Sequence, residues 1–274
     1  MSLMQKSLDG LSVGDALGAQ FFVPGRSLPE LQAGRPPAAP WPWTDDTEMA
    51  CTLVAELRDH GEIDRDRLAR GFADRCEPYR GYGPGAVVIL HAIRDGVPWR
   101  EAAGAAFQGQ GSCGNGAAMR VAPLGAYFAD DLETLVEQAK LSAEVTHLHP
   151  EGVAGAVAVA LAAAQAGFGE ILRRLDDGEV KQGVARAASL AECSVAEAAY
   201  ELGNGARAMA QDTVPFALWV AARNANDYPA AITACVEAGG DVDTTGAIVG
   251  GIVAAGGAAI PEEWLRRREA LPGW

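Results

Sequence analysis

The stretch TDDTEMACTLVAELRDHG at residues 44–61 decides the fold class. Asp45 and Asp46 stand at its start, Met49, Leu53, Val54 and Leu57 form an apolar stripe at helical spacing, and Gly61 closes it. Apolar residues recurring every three to four positions mark a helix with one face toward a core. Carboxylates in the first turn complement the positive end of the helix dipole, and a glycine just past the last turn ends the helix. The reading is a helix over residues 45–60.

The same punctuation recurs outward from this stretch. Helices are predicted at 85–94 after Pro84, at 151–166 after Pro150, and at 195–202 behind Ser194 as an N-cap. Others are predicted at 214–224 with Pro215 in the first turn, 228–238 after Asp227, 244–255, and 262–271 after Pro261. Period-two alternation bounded by hairpin signals is nearly absent. The expected fold is all-α, a single compact domain over residues 1–274 with no linker, repeat or charge block to divide it. Four glycine-rich segments, 10–18, 81–85, 111–116 and 239–246, read as tight loops between helices that line a site.

Composition narrows the function classes. A chain of 274 residues can bury a sizeable core, and its 33 glycines with few aromatics suit helices that approach closely. A net charge of −14 argues against a nucleic-acid partner, but a phosphate-bearing small molecule remains compatible where a bound cation inverts the local field. Cys51, Cys76, Cys113, Cys193 and Cys235 are scattered singly, which reads as reduced thiols in the cytoplasm. The apolar run at 154–166 is too short for a membrane span, so no membrane partner is expected. A monomer is compatible with the sequence, which leaves the oligomeric state open.

Two acidic clusters carry the chemistry: Thr44-Asp45-Asp46-Thr47 and Asp241-Val242-Asp243-Thr244. Helix capping explains part of each. Both hold more acid than a cap requires, and both sit among glycines or tryptophans rather than solubilising Lys and Glu. Carboxylates and hydroxyls without His or Cys form the donor set of a hard divalent cation. The candidate ligands Thr44, Asp45, Asp46, Asp241, Asp243 and Thr244 meet only if the fold joins the two ends of the chain. Between them lies Gly111-Ser112-Cys113-Gly114-Asn115-Gly116-Ala117-Ala118-Met119-Arg120, a glycine loop whose free amides suit an anion. Gly14-Asp15-Ala16-Leu17-Gly18 reads as a turn with Asp15 as a buried cap or a carboxylate behind the ligands. Thr146-His147-Leu148-His149 adds two histidines in one loop.

Taken in order, these segments resemble the ADP-ribosylglycohydrolases, a family that includes the dinitrogenase-reductase-activating glycohydrolases and the ADP-ribosyl-acceptor hydrolases. The resemblance runs from about residue 7 to about residue 258. It implies an orthogonal helical bundle with a binuclear centre of two Mg²⁺ (or Mn²⁺) in a central cleft. Thr44, Asp45, Asp46 and Asp243 would hold one ion and Asp241, Asp243 and Thr244 the other, with Asp243 bridging. Asp45, Asp46 and Asp243 would carry the catalysis. Ser112, Gly114, Asn115 and Gly116 would line the ligand loop, His147 would contact the ribose–phosphate side, and Tyr82 with Gly83 would form another wall. The implied reaction is hydrolysis of the glycosidic bond between ADP-ribose and an acceptor, arginine-linked protein being the commonest. The implied partners are ADP-ribose and an ADP-ribosylated protein or small molecule.

One position departs from the family pattern. A glutamate usually stands seven residues after the aspartate of the first motif, and here that position is Phe22. Glu30 is displaced from it. A non-catalytic ADP-ribose- or nucleotide-binding homologue is therefore a second reading, and a hydrolase of another glycoside or nucleoside a third.

Overall fold

The structure is a computed structural model that describes residues 1–190 and 192–274. Among the described residues it consists of helices and loops, without strands. The first half of the chain forms α1 (Leu3–Ala19), α2 (Leu28–Gln32), α3 (Asp45–His60), α4 (Arg65–Arg75), α5 (Pro84–Arg94), α6 (Trp99–Gly109), α7 (Ala122–Tyr127) and α8 (Leu132–Glu144). The second half forms α9 (Pro150–Ala163), α10 (Phe168–Arg174), α11 (Glu179–Ser189), α12 (Val195–Leu202), α13 (Ala210–Arg223), α14 (Tyr228–Ala238), α15 (Val242–Ala255) and α16 (Glu262–Arg267).

Helix α3 has the predicted ends. The Thr44 hydroxyl accepts the Asp46 amide at 3.3 Å, and Gly61 takes a left-handed conformation at φ 77°. Helices α12 and α14 also match the predicted bounds, and the Ser194–Glu197 capping box is formed.

The glycine segment 10–18 differs from its prediction, because it lies inside α1 rather than in a turn. Its glycines serve contact instead of turning. Gly10, Gly14 and Gly18 face Gly250, Gly246 and Val242, so α1 and α15 run antiparallel with their backbones touching. A methyl group on Gly14 would sit 2.0 Å from the Gly246 carbonyl oxygen. Each helical glycine costs about 1 kcal/mol against alanine, and here the close approach that only glycine permits offsets it. The segment 239–246 is likewise part loop and part helix, since α15 begins at Val242. Asp243 and Thr244 therefore belong to its first turn.

Three helix ends also shift. Helix α13 starts at Ala210, which places Pro215 inside it, and Gly183 of α11 leaves the space its ring fills. Helix α9 stops at Ala163, and Gln165 turns the chain at φ 64°. Helix α16 stops at Arg267 because the next residues pair with the segment before α3: Glu269 donates its amide to Trp41 O at 2.9 Å.

Helices α7, α9, α13 and α14 pack around the α1–α15 pair. One connected apolar core runs from Leu8 to Trp264. Among the described residues, no helix is long and apolar enough to cross a membrane.

Candidate functional site

The α1–α15 contact sets the site. It brings Asp15 of α1 against the first turns of both α3 and α15, although these lie at opposite ends of the chain. Oxygens of Asp15, Asp46 and Asp243 lie within 4.8 Å of one another. Above them opens a cavity of about 310 Å³. Asp45, Asp46, Asp241, Asp243 and Thr244 line its acidic side, and Ser112, Gly114, Asn115, Gly116, Thr146 and His147 line another. Gly83 and Pro84 at the start of α5, with Phe107, complete the rim.

Asp15 is fully buried and works as a cap supplied from another helix. It accepts the Thr44 amide at 2.9 Å, the Thr47 amide at 3.2 Å and the hydroxyl of Thr47. Two otherwise unsatisfied amides at the start of α3 are thereby bonded, which anchors Asp45 and Asp46. The Thr44 hydroxyl lies 2.9 Å from Asp15 and 3.1 Å from Asp46. It has one proton, so it serves one of the two at a time.

The far side is anchored by Asn115. Its side-chain amide donates to Asp241 at 2.7 Å and to Thr213 at 3.1 Å. The Asn115 backbone amide donates to Ala208 O, and the Ala210 amide donates to Cys113 O, which pins the glycine loop to the start of α13.

Crowding of acids in a shielded pocket raises their proton affinity. Burial, and then the charge of Asp15, pushes Asp45 up to about 7. Burial pushes Asp15 up to about 6 against the hydrogen bonds it accepts. Asp46 and Asp243 are raised well above the usual range, first by burial and then by Asp243 and Asp241 respectively. One oxygen, Asp46 Oδ1, is buried without a hydrogen-bond partner. An orphaned carboxylate oxygen beside other carboxylates is what a bound cation would satisfy. The donor set of oxygens alone fits a hard divalent ion.

The structure gathers most of the residues singled out in the sequence around this cavity. Thr44 sits behind the acids, with its hydroxyl engaged as described. Tyr82 is buried behind the wall, where its hydroxyl donates to Glu48 at 2.7 Å, and it is not among the cavity-lining residues. Phe22 stands in a short 3-10 turn and is 54% exposed. Glu30 stands in the first turn of α2, behind the Ser27 cap, at an exposed position. The carboxylates lining the cavity are Asp45, Asp46, Asp241 and Asp243, with no glutamate among them.

Met49, Phe107, Arg120 and Ala208 also line the cavity without having been assigned a role from sequence. Arg120 was visible within the 111–120 motif. Phe107, at φ 53°, has no local signature that places it over a cavity.

The ADP-ribosylglycohydrolase family description matches residues 3–273. The chain is similar to ADP-ribosylhydrolase ARH3 of Gallus gallus, at 30% identity over 96% of this chain and 88% of that protein. It is similar to the ADP-ribosyl-[dinitrogen reductase] glycohydrolase of Rhodospirillum rubrum, at 27% identity over 94% and 87%. A solved structure described as an ADP-ribosylglycohydrolase-related protein complex superposes with a TM-score of 0.70 at 27% identity, covering 98% of this chain and 92% of that one.

Proposed function

The chain belongs to the ADP-ribosylglycohydrolase family, and from that premise we propose that its cavity hydrolyses the glycosidic bond joining ADP-ribose to an acceptor. The observation that carries this reading is the convergence of Asp15, Asp46 and Asp243 within 4.8 Å, with Asp46 Oδ1 orphaned among them, at a cavity walled by an anion-suited glycine loop.

Thr44, Asp45, Asp46, Asp241, Asp243 and Thr244 would hold two Mg²⁺ or Mn²⁺ ions. Bound there, such ions supply Lewis-acid stabilisation of an anionic oxygen and a more acidic water. Asp15 keeps the start of α3 in place beneath them. Asn115 orients Asp241 and pins the Ser112–Gly116 loop along the cavity wall, where the phosphates of the ligand would lie. Asp45 lines the cavity, where its carboxylate would assist proton transfer as the glycosidic bond breaks. The wall of Gly83, Pro84 and Phe107 restricts water access to one side of the ligand. Arginine-linked protein is the proposed acceptor class. The five unpaired cysteines favour a reducing compartment, and the cytoplasm is the proposed location.

A second reading has its own observation. The glutamate of the family pattern is absent at Phe22, and no glutamate lines the cavity. Binding of ADP-ribose without turnover would follow if that group is indispensable.

Calorimetric titration with free ADP-ribose, with Mg²⁺ and again after chelation, followed by assay on ADP-ribosyl-arginine, tests both readings. Metal-dependent binding with release of ADP-ribose supports the hydrolase. Binding without release supports the second reading. Absence of binding in both conditions removes both.

A further inference from the structure

We propose that Arg120 and Thr146 are positioning residues that fix the proton of His147 on Nε2, making it a one-way hydrogen-bond donor into the cavity. The nature of the ligand rests on the ADP-ribose reading above, whereas the proton arrangement does not.

Arg120 is fully buried at the end of the 111–120 motif. Its partners are neutral. Nη2 donates to Ser142 O at 2.9 Å, in the last turn of α8, and to Thr146 Oγ1 at 2.9 Å. Nη1 reaches Met49 Sδ at 3.5 Å, and the guanidinium lies 4.4 Å from the centre of the Phe72 ring. A guanidinium only donates, so Thr146 Oγ1 accepts from it.

The single proton of Thr146 must then go elsewhere. Thr146 is 1% exposed, and the remaining partner of its oxygen among the described residues is His147 Nδ1 at 2.8 Å. Oγ1 has a second lone pair that could take a proton on Nδ1, but that arrangement would leave the threonine proton without an acceptor among the described residues. Nδ1 therefore accepts. Burial, and then the charge of Arg120, holds the imidazole neutral by lowering its pKa to about 3. The one remaining ring proton is on Nε2.

Nε2 faces the ligand loop. A Cβ on Gly114 would lie 3.3 Å from it, and one on Gly116 would lie 3.2 Å away. Among the described residues Nε2 has no hydrogen-bond partner, while the ring lines the cavity. It can take a ligand atom that carries a lone pair and no proton, and it leaves a hydroxyl proton offered to it unpaired. Arg120 thereby acts on ligand selection through Thr146, its own Nη atoms being engaged by Ser142, Thr146 and Met49.

The test is two-bond ¹⁵N–¹H correlation on the histidine rings, with His147→Asn identifying its signals among the four histidines. The expected result is the Nε2–H tautomer in the unmodified protein, with His147→Asn serving only to assign the signals. Thr146→Val and Arg120→Met are expected to populate Nδ1–H, and Thr146→Ser to restore Nε2–H. ADP-ribose is expected to bind Thr146→Val about fivefold or more weakly and Thr146→Ser within about twofold of the unmodified protein. A proton on Nδ1 in the unmodified protein, or an unchanged tautomer in Thr146→Val, overturns the proposal. An Nε2–H tautomer in a protein that binds no ADP-ribose upholds the relay and removes the ADP-ribose reading instead.

Discussion

Gly14 and Gly246 meet so closely across α1 and α15 that a methyl group on either would strike the other's backbone within 2.6 Å. This contact places Asp15, one residue further along α1, beside the acids of α3 and α15. The packing of two helices and the assembly of the site are one event.

Gly14→Ala is expected to destabilise the protein by about 1–3 kcal/mol, because neither backbone can retreat. Gly167→Ala, where a methyl group meets open space at the N-cap of α10, is expected to cost less, up to about 1 kcal/mol from the poorer cap. Denaturant unfolding of the two variants checks the contrast. Equal effects would mean that the α1–α15 contact is softer than its geometry implies.

Asp243→Asn is expected to abolish the rise in melting temperature on adding Mg²⁺ while leaving the helical circular dichroism intact. The metal-free variant should melt no lower than the unmodified protein at pH 8, since a charge repelled by Asp241 is gone. A retained metal response would remove Asp243 from the ligand set.

The acids also set a pH dependence. Asp15 and Asp45 are raised to about 6 and about 7 in the folded protein. A carboxyl whose folded pKa is raised contributes stability at low pH that is lost as pH rises through the folded value. The chelated protein should therefore melt progressively lower as pH rises from about 5 to about 8. Mg²⁺ should restore more at the upper end. Thermal melts across this range with and without chelator measure it, and a chelated protein that gains stability over the same range would contradict the raised values.

Phe22→Glu is expected to leave stability within about 0.5 kcal/mol, because Phe22 is an exposed surface residue. It is expected to raise metal affinity or ADP-ribose release, because the turn carrying it follows Gly18, which packs on the start of α15. Unaltered metal binding and turnover in a folded variant would show that this position takes no part in the site.

Tyr82→Phe removes the donor to Glu48, whose carboxylate is buried. Stability should fall by about 1–3 kcal/mol, with ADP-ribose affinity nearly unchanged. A large loss of affinity at unchanged stability would instead return Tyr82 to the ligand wall.

The all-α class and several helix ends were legible locally. Asp227 and Gly239 around α14, and Ser194 and Gly203 around α12, act through bonds within a few residues, so a local reading reaches them. Helix α1 was misread because glycine spacing has two meanings. Gly10, Gly14 and Gly18 look like turn residues until a partner helix shows that they form a contact face. Helices α4, α8 and α11 were missed although Asp64 and Asp131 cap the first two and Leu68–Phe72, Leu135–Ala139 and Val180–Val184 recur at helical spacing on their buried sides.

The sequence by itself determined the helical class and the chemistry of the acids, because capping, periodicity and donor type depend on neighbours along the chain. It also held every member of the Arg120–Thr146–His147 relay. Only the tertiary structure decided that Asp15 caps α3 from another helix, that Tyr82 turns to Glu48, and that Phe107 overhangs the cavity. Those relations join residues distant in sequence. They arise from the shared requirement that glycine faces close, that buried polar atoms find partners, and that carboxylates accumulate only where something can offset their charge.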